Sequence, residues 1–134
     1  MDREQLKVLI VDDEEQLVTT MAKRLRRRGF AVWEATSGLE GLGHLEETDV
    51  HVVLLDVRMP GLDGIQVLRE IKMRFPRTEV IIFTGHSDVE AAISGMAMGA
   101  FDYLMKPVVL DELVVKIQEA AMRSRLLGED SGQG

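Results

Sequence analysis

The chain has 134 residues, 46% of them hydrophobic, enough for one domain with a sizeable core. A formal net charge of −7 and only 4% aromatic residues argue against direct nucleic-acid binding, which uses a basic surface or stacking rings. The absence of cysteine excludes a disulfide framework and a thiolate metal site, and neither a secretory leader nor a membrane-spanning apolar run is visible, so the expectation is a cytoplasmic protein without membrane attachment.

Leu6 to Val11 is an apolar run broken only by Lys7, and it ends at Asp12-Asp13-Glu14-Glu15: a strand, then a helix start. Leu17, Val18, Met21 and Leu25 follow at helical spacing, with Lys23, Arg24, Arg26, Arg27 and Arg28 towards the end, where cations complement the helix dipole, and Gly29 as the stop. Phe30 to Ala35 is a short strand. Ser37-Gly38-Leu39-Glu40 then reads as a capping box opening a helix that turns Leu39, Leu42 and Leu45 inward. Val52 to Leu55 is apolar without alternation, the mark of a strand buried on both faces, and Asp56 is where it surfaces. Met59-Pro60-Gly61 and Asp63-Gly64 form a turn cluster behind it.

Ile65, Leu68, Ile71 and Phe75 mark a third helix closed by Pro76. Val80 to Phe83 is another buried strand, ending at Thr84-Gly85. Ser87-Asp88-Val89-Glu90 reads as a second capping box, and Val89, Ala92, Ile93 and Met96 as the apolar stripe of a fourth helix that stops at Gly99. Phe101 to Met105 is a fifth strand ending at Lys106-Pro107. Leu110, Leu113, Val114, Ile117 and Ala121 give a fifth amphipathic helix, and a polar, Gly-rich tail follows. Five βα units in strict alternation specify an α/β fold: a single doubly wound parallel sheet with right-handed crossovers and helices on both faces. One domain is expected over residues 1–127, with 128–134 as a flexible tail or linker.

Parallel strands present their carboxyl ends on one edge, so Asp12, Asp13, Asp56, Thr84 and Lys106 should converge there. Singly, each has an ordinary reading: Asp13 as a helix cap with Gln16, Thr84 as a strand residue, Lys106 as an exposed lysine before a turn. Together they are hard to explain as solvation, because like charges held close cost free energy unless a cation offsets them. Three carboxylates with room for waters suit Mg²⁺ better than Ca²⁺. Asp56 can then act as a nucleophile that forms an acyl phosphate, with Lys106 and Thr84 answering two further phosphoryl oxygens.

In VLIVDDEEQ (Val8 to Gln16), LLDVRMPGLDG (Leu54 to Gly64), IIFTGHSD (Ile81 to Asp88) and GAFDYLMKPV (Gly99 to Val108) the chain resembles the receiver domain of two-component response regulators. The last stretch is reminiscent of receivers in enhancer-binding transcriptional activators. The resemblance spans about residues 5 to 125 and implies a flavodoxin-like strand order 2-1-3-4-5. It makes Asp56 the phosphoacceptor, Asp12 and Asp13 the acidic metal pair, and Arg58 the donor of a backbone carbonyl to the metal. It makes Thr84 the switch hydroxyl, Tyr103 the switch aromatic and Lys106 the site lysine, with Lys106-Pro107 cis. Arg58 and His86 sit where the family tunes the lifetime of the acyl phosphate. The implied donors are a sensor histidine kinase, a phosphotransfer protein or a small molecule such as acetyl phosphate, and the implied recipient is an output domain or downstream protein.

Such a chain is a signalling switch and not an enzyme acting on external substrates. Its charge change would be relayed to the surface of the fourth helix, fifth strand and fifth helix, where Met96, Met98 and Val115 suit a homodimer or an output partner. A haloacid dehalogenase-type phosphatase would carry a second carboxylate two residues after the nucleophile, and that position is Arg58. A phosphate-independent interaction module would have no use for the full set of Asp13, Asp56, Thr84 and Lys106.

Overall fold

The computed structural model describes residues 5–59 and 64–133, the last five of them by backbone alone. Its elements alternate: β1 (Lys7–Val11), α1 (Glu15–Arg27), β2 (Ala31–Ala35), α2 (Gly38–Glu47), β3 (Val52–Asp56), α3 (Gly64–Arg74), β4 (Glu79–Thr84), α4 (Val89–Ala97), β5 (Asp102–Met105) and α5 (Leu110–Gln133). All five strands are parallel, in the order β2-β1-β3-β4-β5. The expected fold class and strand order are those observed. Pro60, Gly61 and Asp63 of the expected turn cluster lie outside the described residues.

The three inner strands are the three continuous apolar runs, and Val8–Val11, Val52–Leu55 and Val80–Phe83 are wholly buried. Their side chains divide between two cores. Val8, Ile10, Leu54, Ile81 and Phe83 meet α1 through Val18 and Leu25, and α5 through Leu113 and Ile117. Leu9, Val53, Leu55 and Ile82 meet α2 through Leu42 and Leu45, and α3 through Val67, Leu68 and Ile71. Helices α1 and α5 therefore cover one face, and α2 and α3 the other.

Three expectations are corrected. Leu39 is 74% exposed. The buried positions of α2 are Gly38, Gly41, Leu42 and Leu45; at about 100° per residue, Leu39 falls roughly 110° from their centre. On α4 the inward residues are Ala92 and Gly95, while Ile93 is 61% exposed and Met96 is exposed too. Gly95 seats the helix so close to the sheet that a Cβ there would overlap the Ile82 side chain. The second capping box does not form, because His86–Asp88 closes a 3₁₀ turn in which the Asp88 N–H donates to the Gly85 carbonyl, and α4 begins at Val89 without a side-chain cap. Helix α5 continues to Gln133, so residues 128–133 of the expected tail or linker are helical. The buried Ala120, Ala121 and Ser124 carry the helix outward, and a helical Gly128 costs only about 1 kcal/mol against alanine. No helix among the described residues is long and apolar enough to cross a membrane.

Candidate functional site

Asp12 is the first residue beyond β1, Asp56 the last of β3, Thr84 the last of β4, and Lys106 the first beyond β5. Parallel register brings these ends to one edge: Asp56 lies opposite Phe83, and Thr84 opposite Met105. Asp12 is fully buried, Asp56 is 6% exposed and Asp13 is open to solvent. One carboxylate oxygen from each of the three lies within 4.8 Å of the others, a group able to hold a metal ion.

The Lys106 ammonium stands over this group. Its Nζ lies 3.0 Å from Asp12 Oδ2, 3.6 Å from Asp56 Oδ2 and 3.4 Å from Glu14 Oε1. The remaining oxygens of the two buried carboxylates accept backbone donors. The Glu14 N–H donates to Asp12 Oδ1 at 3.0 Å, and the Arg58 N–H to Asp56 Oδ1 at 3.2 Å. Asp13 makes no cap for α1; the cap position is Glu14, without a side-chain hydrogen bond.

Burial, more than anything else, pushes the Asp56 carboxyl up from 3.8 to about 6; the charges of Asp12 and Asp13 add to the push, against the Arg58 N–H and Lys106. For Lys106 burial acts downward, but the hydrogen bond it donates to Asp12 and the charges of Asp12, Asp56 and Glu14 prevail, so its pKa is raised. One ammonium thus answers three carboxylates at 3.0 to 3.6 Å, with Asp13 left to solvent. A hard cation among oxygen ligands would remove the remaining repulsion, and the all-carboxylate donor set fits one.

Thr84 is fully buried, and its Oγ1 donates to the neighbouring Gly85 carbonyl at 3.2 Å. The hydroxyl is therefore placed at the edge while engaged locally. The Lys106 N–H donates to the Thr84 carbonyl at 2.8 Å, so strand ends β4 and β5 are tied together there. Tyr103 is 38% exposed on β5, opposite Ile82 of β4. Lys106-Pro107 is cis.

Three contributors were not singled out for these roles by sequence. Glu14 shares the Lys106 ammonium; its place beside a pair of aspartates was the available signal. Gly64 touches the backbone at the end of β3 so closely that a Cβ would strike the Asp56 carbonyl oxygen and Val57. Its N–H donates to the Val57 carbonyl at 3.2 Å, which ties the start of α3 to the residue after Asp56. Asp88 pairs with the Arg58 guanidinium at 3.7 Å across the mouth of the site, and nothing in the sequence announces that pairing.

Residues 8–118 match the family model of the response regulator receiver domain. The chain belongs to that family. The receiver is 39% identical over 126 residues to the transcriptional regulatory protein ZraR of Klebsiella oxytoca, covering 94% of this chain and 28% of that protein. It is 41% identical over 113 residues to the DNA-binding transcriptional regulator NtrC of Escherichia coli K12, covering 84% of this chain and 24% of that one. Among solved structures it superposes on a receiver domain protein from Clostridium thermocellum with a TM-score of 0.87 and 41% identity, over 91% of this chain and 98% of that one. NtrX from Brucella abortus, solved in complex with ATP, gives 0.88 and 31% over 96% of this chain and 29% of that one. The receiver spans about a quarter of the length of the curated relatives it matches. It is a receiver domain of the two-component response regulators, and its function is phosphorylation-dependent signalling.

Proposed function

We propose that Asp56 is the phosphoacceptor and that Asp12, Asp13 and Asp56, with the Arg58 carbonyl, hold a Mg²⁺ ion. The observation that carries this reading is the convergence of the three carboxylates within 4.8 Å, with the Lys106 Nζ 3.6 Å from Asp56. When bound, Mg²⁺ supplies positive charge to the carboxylates and to the transferring phosphoryl group. The Asp56 carboxylate attacks phosphorus in line. An O–P bond forms as the bond to the donor breaks, and the donor departs with the electron pair. Asp56 reacts as the anion, which the Arg58 N–H and the Lys106 ammonium favour against the burial that raises its pKa.

A phosphoryl group adds about two negative charges at an edge already rich in carboxylates. Lys106 meets one of its oxygens and Thr84, leaving the Gly85 carbonyl, meets another. Tyr103 then turns inward from its exposed position beside α4, and the α4-β5-α5 surface changes shape. That surface carries exposed apolar side chains in Ile93, Met96 and Val115, which suit a homodimer or an output partner. The donor is a sensor histidine kinase, a phosphotransfer protein or a small acyl phosphate, in the cytoplasm. The signalling unit is residues 1–127, and 128–134 lead out of it towards an output domain or a downstream protein. Beyond its own phosphorylation and dephosphorylation at Asp56, the receiver turns over no substrate.

Intact mass after incubation with acetyl phosphate and Mg²⁺ tests the reading. One phosphoryl group is gained, and the gain is lost in Asp56→Asn and in a chelated control. A folded receiver that binds Mg²⁺ and gains nothing from acetyl phosphate or from any kinase would overturn it.

A further inference from the structure

The lower edge of the sheet, opposite the site, holds a further buried carboxylate that the phosphorylation chemistry does not use. Glu79 opens β4 and is 2% exposed. Each of its oxygens meets a different helix. Lys72 Nζ, from α3, lies 3.4 Å from Oε1, and Arg123 Nε, from α5, lies 2.9 Å from Oε2. Lys72 is held in turn by the Thr78 carbonyl at 3.1 Å and the Pro76 carbonyl at 3.3 Å. Because α3 and α5 cover opposite faces of the sheet, one carboxylate is gripped from both layers at once.

Only the carboxylate of this group is buried, and an ion pair with a partly exposed cation such as Arg123 is a poor route to stability, since well-packed apolar side chains of similar volume serve as well or better. What a charged pair adds is a fixed position, because a buried carboxylate tolerates few alternatives to its partner. Here the partner lies on the one helix that outruns the sheet. With 24 residues α5 is about 36 Å long, against about 20 Å for a six-residue strand such as β4. A second contact lies one turn beyond Arg123. A Cβ at Gly128 would come 3.4 Å from Arg77 Nη1, so the bare helix surface there seats that arginine.

We propose that Glu79 and Arg123 form a clamp that makes the distal half of α5 a rigid extension of β4, fixing the direction in which the helix leaves the domain. Arg123 is a positioning residue in this scheme and takes no part in phosphorylation. The clamp stands whether or not Asp56 is phosphorylated, so the two readings fail separately.

The test is the distance distribution between spin labels at Lys23→Cys on α1 and Leu126→Cys on α5, both exposed positions in a chain that has no cysteine. With the clamp intact the distribution is narrow. In Arg123→Met, which keeps the apolar stem, it widens at least twofold while amide exchange in β1 and β3 stays unchanged, and exchange at residues 121–128 rises at least tenfold. Arg123→Lys restores most of the narrow distribution. Glu79→Gln repeats the broadening; should that variant not fold, Arg123→Met decides, because Arg123 is 64% exposed and its loss still leaves Glu79 paired with Lys72. An unchanged width and unchanged exchange in Arg123→Met would overturn the clamp.

Discussion

The two edges of the sheet each bury a carboxylate, and they treat it in opposite ways. At the lower edge Glu79 meets a cation at each oxygen, 3.4 and 2.9 Å away. At the upper edge Asp56 faces Asp12 and Asp13 and shares a single ammonium with Asp12 and Glu14. The first arrangement is complete and static. The second is left short of positive charge, the state in which a metal ion gains most by binding and an added phosphoryl group changes most. Within one domain, charge is balanced at one edge and left unbalanced at the other.

Removing each carboxylate should therefore move stability in opposite directions. The unfolded Asp56 titrates near 3.8 and the folded one near 6, so the folded chain binds the extra proton between those values. Stability contributed by that proton is full below pH 4 and is lost as pH rises through about 6. In the absence of metal, Asp56→Asn should raise stability at pH 7 by up to about 3 kcal/mol, with the gain vanishing near pH 4. Chemical denaturation at the two pH values, with and without Mg²⁺, measures this; a loss of stability in the metal-free variant at pH 7 would break the contrast between the edges.

The loop behind Asp56 supplies a steric version of the same contrast. Gly64→Ala places a methyl group against the Asp56 and Val57 backbone, which cannot yield as a side chain does, and should cost about 2 to 3 kcal/mol and slow phosphorylation of Asp56. A melting curve and a phosphorylation time course check both. At the lower edge Glu79→Gln should cost about 2 kcal/mol, less than for a fully enclosed pair because the Lys72 and Arg123 side chains are 21% and 64% exposed and can rehydrate. Equal stability of parent and variant would mean that the pair is replaceable.

The smallest effects belong to residues that the sequence pattern placed inside. Leu39→Ser and Ile93→Ser should each change stability by no more than about 0.5 kcal/mol, since both side chains are largely exposed. Why they misled is physical. Helical spacing identifies a stripe, but glycine and alanine can occupy its buried centre, as Gly38 and Gly41 do on α2 and Ala92 and Gly95 on α4. Large apolar residues beside that centre then stand at the surface.

The inner strands were legible because burial on both faces leaves no alternation, as in Val52–Leu55 and Val80–Phe83. The acidic group was legible for a topological reason: residues that end parallel strands share an edge, and Asp12, Asp56 and Lys106 each end one. The Glu79 clamp was hidden because its partners lie on two helices of opposite faces, and a glutamate before a strand ordinarily faces water. The reach of α5 was hidden as well. Glycine and polar residues from Gly128 onward suggest a tail, whereas the helix that Arg123 and Ser124 hold to the body of the domain runs on through them.

The central claim is that the under-compensated edge receives a phosphoryl group at Asp56. Reduction of the phosphorylated receiver with borohydride converts an aspartyl phosphate to homoserine and marks its position for peptide mass mapping. Homoserine at residue 56, and at neither 12 nor 13, is the expected result. Homoserine at Asp12 or Asp13, or none in a receiver whose intact mass shows a bound phosphoryl group, would contradict it.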